Sequence, residues 1–260
     1  MGIKDLIPTL KGIQKPCNVS VYSGKTVAID GYCWLHQAAY YCALELVQFG
    51  INGPGRDKFV ASCKQKLEMV IKAGVRPLLV FDGNRLTMKQ GVEVERGRNR
   101  EEARRKADEY ARAGDMARAE RYYNMAIDIT PELANCFIRE LTKANIEFYV
   151  APYEADAQLA YLFKNNYVQA VVTEDSDLLA FGVTDVLFKM DRSGHGIRID
   201  TAELNTLPEF VGFKNDMLLY ACILSGCDYL ESIKGVGLKK ARQLVKDSGA
   251  DIGAILRKIR

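Results

Sequence analysis

Several things are scarce in these 260 residues, and each scarcity removes a class of function. No apolar run is long enough to span a bilayer, and MGIKDLIPTL lacks the hydrophobic core of a signal peptide. Seven cysteines (17, 33, 42, 63, 136, 222 and 227) form no CxxC pair and give an odd count. That pattern argues against a zinc site and a disulfide framework, and for reduced thiols inside a cell. With only 2 histidines, an imidazole-based metal cluster has too few ligands. Charge of either sign is not scarce overall: 36 basic and 33 acidic residues leave +3.

What is present is unevenly placed. Residues 85–106 and 234–260 each carry eight Lys or Arg, against four and two acids, so the remainder of the chain is net acidic. Two basic surfaces flanking an acidic centre suit a phosphate backbone. The plainer reading of such runs is a solvated helix face.

Four short β-rich segments, 25–30, 76–82, 146–151 and 169–175, are expected to be strands. Helical periodicity covers 32–48, 57–73, 96–126, 132–144 and 154–164. The alternation predicts an α/β fold with a mostly parallel central sheet and helices on both faces. With 48% hydrophobic residues, the chain can bury a large core.

Acids recur where those strands end. Asp30 and Asp82 close the first two, and Asp175 closes the fourth, in VVTEDSDLLAFG. After the third comes APYEADAQLAYL, which places Glu154 and Asp156 in the first turn of a helix. Ligands of parallel sheets sit at the carboxyl ends of strands. One such acid is better read as a helix cap, worth about 1 kcal/mol. Four neighbouring strand ends carrying acids make a cation the better reading, because Glu174, Asp175 and Asp177 repel one another beside a core.

Two further segments stand apart. AGDMARAERYYNMAIDITPELA (113–134) has the look of one tetratricopeptide hairpin, but a lone repeat cannot bury its own face. It reads instead as a two-helix excursion with a basic leading edge of Arg96, Arg98, Arg100, Arg104, Arg105 and Lys106. In ACILSGCDYLESIKGVGLKKARQLVK (221–246), Gly235 and Gly237 separate two helices, with Lys239, Lys240 and Arg242 beyond. Glycines there let backbone N–H groups approach a phosphate; Gly235 as an ordinary C-cap is the alternative.

MGI, VFDG (80–83), APYEADAQLAYL, TEDSDLLAFG (173–182), LSGCDYL (224–230) and GVGLKKA together resemble the 5′-nuclease superfamily of flap endonucleases, over essentially the whole chain. Within it the resemblance is to the exonuclease branch: flap endonucleases carry APSEAEA where this chain has APYEADA, and GYCWLH and KMD point the same way. The resemblance implies a Mg²⁺-dependent 5′→3′ DNA exonuclease with 5′-flap endonuclease activity. It implies two Mg²⁺ (or Mn²⁺), with Asp30, Asp82, Glu154 and Asp156 around one and Asp175, Asp177 and Asp228 around the other. Seven carboxylates without a His or Cys cluster suit such hard cations independently. Glu174 is expected to be a surface or outer acid.

By the same resemblance Lys89 and Arg96, seven residues apart, reach the scissile phosphate, with Gly91 between them as the point where such a helix would break. His36 stacks on an unpaired nucleotide, Gly2 lies near the metals, and Trp34 packs in the core. Ser225 and Ser232 contribute to a K⁺ site at the hairpin, and Arg98, Arg100, Arg104 and Arg105 contact DNA with Gly235, Gly237, Lys239 and Lys240.

The implied layout is one nuclease domain, truncated at its C-terminus: an N-terminal region (1–91), a helical arch (92–145), an internal region (146–220) and a helix-hairpin-helix of H2TH type (221–260). Relatives of this branch carry a long tail. Nuclear localisation, a monomeric state and mismatch-repair partners docking on that tail follow from resemblance alone. The rival readings are a replicative flap endonuclease, which product length would distinguish, and a non-catalytic DNA-binding module. The latter would keep seven unpaired acids together at a cost in stability. A small-molecule phosphatase would leave the GVG hairpin without a role.

Overall fold

The computed structural model describes residues 2–214 and 216–259. Seven strands, β1 (Gln14–Asn18), β2 (Thr26–Asp30), β3 (Arg76–Phe81), β4 (Phe148–Val150), β5 (Ala170–Thr173), β6 (Asp185–Phe188) and β7 (His195–Asp200), form a sheet in the order β1-β7-β6-β5-β2-β3-β4. The helices are α1 (Leu6–Thr9), α2 (Gly31–Ala39), α3 (Ala43–Phe49), α4 (Gly55–Lys72), α5 (Gln90–Arg112), α6 (Met116–Ala126) and α7 (Pro131–Lys143). They continue with α8 (Ala155–Lys164), α9 (Asp177–Ala180), α10 (Met217–Ser225), α11 (Leu238–Ser248) and α12 (Ile252–Ile259). This is the expected α/β fold with a mostly parallel sheet and helices around it. Among the described residues, no helix is long and apolar enough to cross a membrane. The chain divides into two compact units, Ile29–Ala155 and Met1–Ala28 with Asp156–Arg260.

In the unit Ile29–Ala155, β3 and β4 pair in parallel, with Leu79 opposite Phe148. Leu78, Leu79, Val80 and Phe81 are all buried, the near-continuous apolar run expected of a strand covered on both faces. In α4, Phe59, Cys63, Lys66, Leu67 and Val70 recur at helical spacing as its buried face. Thr130 caps α7 by accepting the Leu133 N–H at 3.3 Å, with Pro131 in the first turn. Leu133, Ala134, Phe137 and Leu141 then form that helix's buried stripe.

The expected helix 32–48 is two helices, α2 and α3, joined by a 3-10 turn at Tyr40–Cys42 that leaves Tyr40 and Tyr41 exposed. The excursion is a hairpin of α5 and α6. Gly114, at φ 80°, breaks the helix in a conformation that other residues rarely adopt. Asp115 restarts it by accepting the Arg118 N–H at 3.0 Å. Tyr110 and Tyr122 stack at 5.4 Å to pin the two arms.

The other unit contains three strands, β1, β6 and β7, beyond the four expected from the sequence. Strand β7 pairs antiparallel with both β1 and β6, whereas β5 and β6 are parallel. Arg198 on β7 donates to both carboxylate oxygens of Asp185 (2.8 and 2.7 Å) and to Asp200 (3.3 Å). Tyr22 donates to the same Asp185 at 2.7 Å. The charge-assisted fork fixes the register of β6 and β7 at Asp185 and Asp200, which lie opposite one another.

Candidate active site

Each compact unit carries its own acids. In Ile29–Ala155, Asp30 ends β2, is 7% exposed, and accepts the Cys33 N–H at 3.0 Å. It therefore does cap α2, the role that a single such acid would be given. Asp82, just past β3, accepts the N–H of Ala155 at 2.6 Å. Its carboxyl is held above the usual range, chiefly by desolvation and also by Glu154, while the Ala155 N–H and Lys89 oppose the rise. Glu154 forms an ion pair of 2.6 Å with Lys89, and both side chains are largely covered. The candidate phosphate-binding lysine thus serves here as counter-ion to a candidate metal ligand.

Gly83 makes this arrangement possible. A Cβ on it would stand 1.9 Å from the Ala151 carbonyl oxygen, and its N–H donates to the Tyr153 carbonyl at 2.6 Å. Gly83→Ala is expected to destabilise the chain by about 1–3 kcal/mol, the range for forced overpacking. A lowered melting temperature would register it.

In the second unit, Asp175 follows β5 and is oriented twice. Its N–H donates to the Thr173 hydroxyl, and its Oδ1 accepts the Asp177 N–H, both at 3.0 Å. Asp177 begins α9 and is 4% exposed. Gly2 presses on this turn: at φ 89°, a Cβ there would meet Ser176 Oγ at 2.3 Å and Asp175 Oδ1 at 2.4 Å. Asp156 lies in the first turn of α8, and Asp228 sits in the turn after α10, spanned by a Cys227–Leu230 bridge. Glu174 is half-buried beside Asp175. Among the described residues, no group of three or more His, Cys, Asp or Glu side chains is gathered to hold an ion.

The basic residues divide by surroundings. Lys89 closes a 3-10 turn (Thr87–Lys89), is 8% exposed, and immediately precedes α5. Gly91 lies inside α5 and does not break it, so the expected interruption falls one residue before the helix, at Lys89. Arg96 in α5 bonds Glu93 at 3.0 Å. Arg100 reaches Asp128 at 3.4 Å, Arg105 pairs with Glu109 at 2.6 Å, and Arg98 and Arg104 are exposed. Trp34 is buried as expected, with the Lys66 ammonium 4.7 Å from its ring centre. His36 is half-buried, and desolvation, then Arg100 and Arg96, lower its pKa. Its ring is neutral near pH 7, able to stack without adding charge.

The C-terminal hairpin follows its pattern closely. Helices α10 and α11 pack together. Gly235 has φ 79°, and Gly237 is the N-cap of α11; a Cβ on either would meet nothing within 4 Å. That helix N-terminus is therefore open. Leu238, Ala241 and Val245 form its buried face, while Lys239 and Lys240 are exposed. Ser225 donates to the Cys222 carbonyl at 2.9 Å. Gly226, at φ 97°, packs so tightly that a Cβ would meet the backbone N of Ser232 at 2.8 Å. Sequence pattern alone singles out neither Gly226 nor Gly83; the signal for both is a glycine inside an acid-bearing motif.

The XPG N-terminal domain matches residues 1–103 and the XPG I-region residues 145–228. Exonuclease 1 of Xenopus laevis is 42% identical over 261 residues, covering 100% of this chain and 35% of its own length. Exonuclease 1 of Danio rerio is 41% identical, covering 100% of this chain and 32% of its own. Exodeoxyribonuclease 1 of Schizosaccharomyces pombe is 40% identical over 93% of this chain and 42% of its own length. The chain thus spans well under half the length of these relatives. Among solved structures, the catalytic core of Rad2 in complex with DNA substrate has a TM-score of 0.69 at 20% identity, covering 95% of this chain and 69% of that one. Flap endonuclease-1 from Methanococcus jannaschii has 0.62 at 24%, covering 100% and 80%. These two likenesses establish the fold, and the two matching domains together with the exonuclease 1 relatives establish more: the chain belongs to the XPG family, within the flap endonuclease and 5′-nuclease superfamily.

Proposed function

We propose that this chain is the nuclease portion of a 5′→3′ DNA exonuclease that also cuts 5′ flaps, acting in mismatch repair and the resection of recombining ends. The observation that carries the reading is the identity of about two residues in five with exonuclease 1 relatives along the whole chain.

The donor set fits divalent metal, since every candidate ligand is a carboxylate and hard oxygen donors suit Mg²⁺ or Mn²⁺. Asp30, Asp82, Glu154 and Asp156 would hold one ion, and Asp175, Asp177 and Asp228 a second. Bound there, the ions would supply activation of water and stabilisation of the leaving oxygen. The remaining steps belong to the chain itself. Lys89 and Arg96 neutralise charge gathering on the scissile phosphate, and the hydrogen bonds to Asp30, Asp82 and Asp175 hold those carboxylates in fixed orientations. Within the segment 92–145, read as the arch, Arg98, Arg100, Arg104 and Arg105 grip the strand backbone, while neutral His36 stacks on an unpaired base.

The hairpin grips duplex DNA. Its open α11 N-terminus with Gly235 and Gly237 faces a phosphate, and Ser225 and Ser232 contribute to a K⁺ site in the loop that Gly226 closes. Reversing Lys239 and Lys240 to Glu is expected to weaken duplex binding. It should also flatten the salt dependence by about one log–log unit for each phosphate no longer neutralised. An unchanged slope in fluorescence anisotropy titrations would make the hairpin a structural turn. The chain works as a nuclear monomer, and mismatch-repair partners dock on regions that the relatives carry beyond the matched part.

The test of the activity is cleavage of a labelled nicked duplex by the purified chain with Mg²⁺ and with excess chelator. Cleavage with metal alone supports the reading, and equal cleavage in chelator overturns the metal-dependent chemistry.

A further inference from the structure

Within the unit Ile29–Ala155, a cavity of about 550 Å³ opens between α3 and the chain from α5 to α7, a volume typical of small-molecule sites. Its apolar walls come from Leu46, Val47, Ile51, Ile127 and Leu133. Gln48, Asp128, Thr130, Glu132 and Arg104, all exposed, line the rim.

The rim is organised by the protein itself. Gln48 donates to the Tyr123 hydroxyl at 2.9 Å, and that hydroxyl donates to Asp108 at 2.8 Å, which orients the amide. Asp128 is held by Arg100 at 3.4 Å. Glu132 lies in the first turn of α7, where its backbone N–H and the Thr130 hydroxyl hold its carboxyl below the usual range. Asp128 is therefore an anchored acceptor, and Glu132 offers a second carboxylate from the first turn of α7. Apolar walls suit a flat ring, a rim of acceptors suits N–H donors on that ring's edge, and one guanidinium suits a phosphate.

We infer that this cavity binds one unpaired deoxynucleotide, its base between the apolar walls and its phosphate on Arg104, and favours bases bearing an exocyclic amino group. Adenine, cytosine and guanine carry that amino group, whereas thymine offers only its ring N3–H. The choice of ligand rests on the nuclease reading. The nucleotide comes from an overhanging 5′ strand or is a released mononucleotide; the chemistry is shared, and the source is a matter for experiment.

The purified chain, in chelator, is titrated with dAMP, dCMP and dTMP by isothermal calorimetry and saturation-transfer NMR. Saturable binding of dAMP and dCMP is expected, with dTMP about tenfold weaker, the loss set by one unmet donor–acceptor match. Val47→Trp and Ile51→Trp, at half-buried wall positions, fill the cavity and should weaken all three by about tenfold or more at unchanged melting temperature. In parallel, 2-aminopurine in the 5′ overhang of a duplex reports capture from a strand. A fluorescence change that disappears in Val47→Trp identifies the strand as source, and dAMP binding without that change identifies the released product.

The inference is overturned if neither probe binds, or if binding ignores both tryptophans. Equal affinity for dTMP overturns the preference for an amino group. Mg²⁺-dependent cleavage on the same preparation separates the two proposals. Cleavage without nucleotide binding sinks the cavity and leaves the nuclease reading; binding without cleavage does the reverse.

Discussion

Asp175→Ala is expected to lower turnover on nicked duplex DNA by orders of magnitude while duplex affinity stays within about twofold. The reasoning starts from charge. Asp175 is one of seven carboxylates proposed to hold divalent metal, and it contributes nothing to the basic surfaces that grip a backbone. Its loss therefore removes chemistry and spares binding. The structure adds a stability term, because its Oδ1 accepts the Asp177 N–H at 3.0 Å. Alanine forfeits that bond, worth about 1 kcal/mol, and at the same time relieves repulsion among neighbouring acids. The melting temperature of the metal-free variant should therefore move little. Asp175→Asn keeps the acceptor and loses the charge, so it should be as inactive as alanine and fold at least as well. An active Asn variant would show that the carboxylate orders the turn rather than holding metal.

Lys89→Ala and Arg96→Ala should each lower single-turnover rates by about a hundredfold, or about 2.7 kcal/mol of transition-state stabilisation. A scissile phosphate gathers charge only during attack, so affinity for the same DNA should fall far less, about two- to fivefold. If both act on one phosphate, the double variant should lose much less than the product of the single losses. Exposed Arg104 and the Glu109-paired Arg105 should behave oppositely, with binding weakened and the chemical step preserved.

The Lys89–Glu154 ion pair gives Lys89 a second signature. Lys89 is among the groups that lower the Asp82 pKa, against desolvation, which raises it. Removing the ammonium raises that pKa further, so the ionised Asp82 needed for a cation forms only at higher pH. The acidic limb of the pH–rate profile should therefore move upward in Lys89→Ala. Wild-type single-turnover rates in both single variants would leave Lys89 a counter-ion of Glu154 alone and Arg96 a residue on a solvated face of α5.

The parts that were legible in the sequence are those where burial and chemistry point the same way. Strand β5 is buried throughout, apolar as far as Val172, and Asp175 follows two residues after its end at Thr173. The GVG turn was legible because a φ of 79° at Gly235 needs glycine and the basic face of α11 follows it. Strand β1, QKPCN, was not legible: it is polar, half-exposed and contains Pro16, which suits the edge of the sheet that it occupies. Strand β7 was hidden for a related reason, since its register rests on the Arg198–Asp185 fork rather than on an apolar alternation. At the acids, residue types and the Asp30 cap were legible, but distant partners were not. Asp30 and Asp82 each hold a helix start while standing as candidate ligands, and Lys89 faces Glu154. Side-chain partners 65 or more residues apart leave no trace in local pattern.

The measurement that bears most directly on the central claim is product length from one duplex, labelled in separate preparations at the 5′ end and at the 3′ end of its nicked strand, with Mg²⁺ present. A 5′→3′ exonuclease releases short products from the 5′ label at once, while the 3′-labelled strand shortens progressively. A matched 5′-flap duplex should in addition yield a product of about flap length. Progressive loss from the 3′ label first, or no Mg²⁺-dependent cleavage of either strand, would contradict the account.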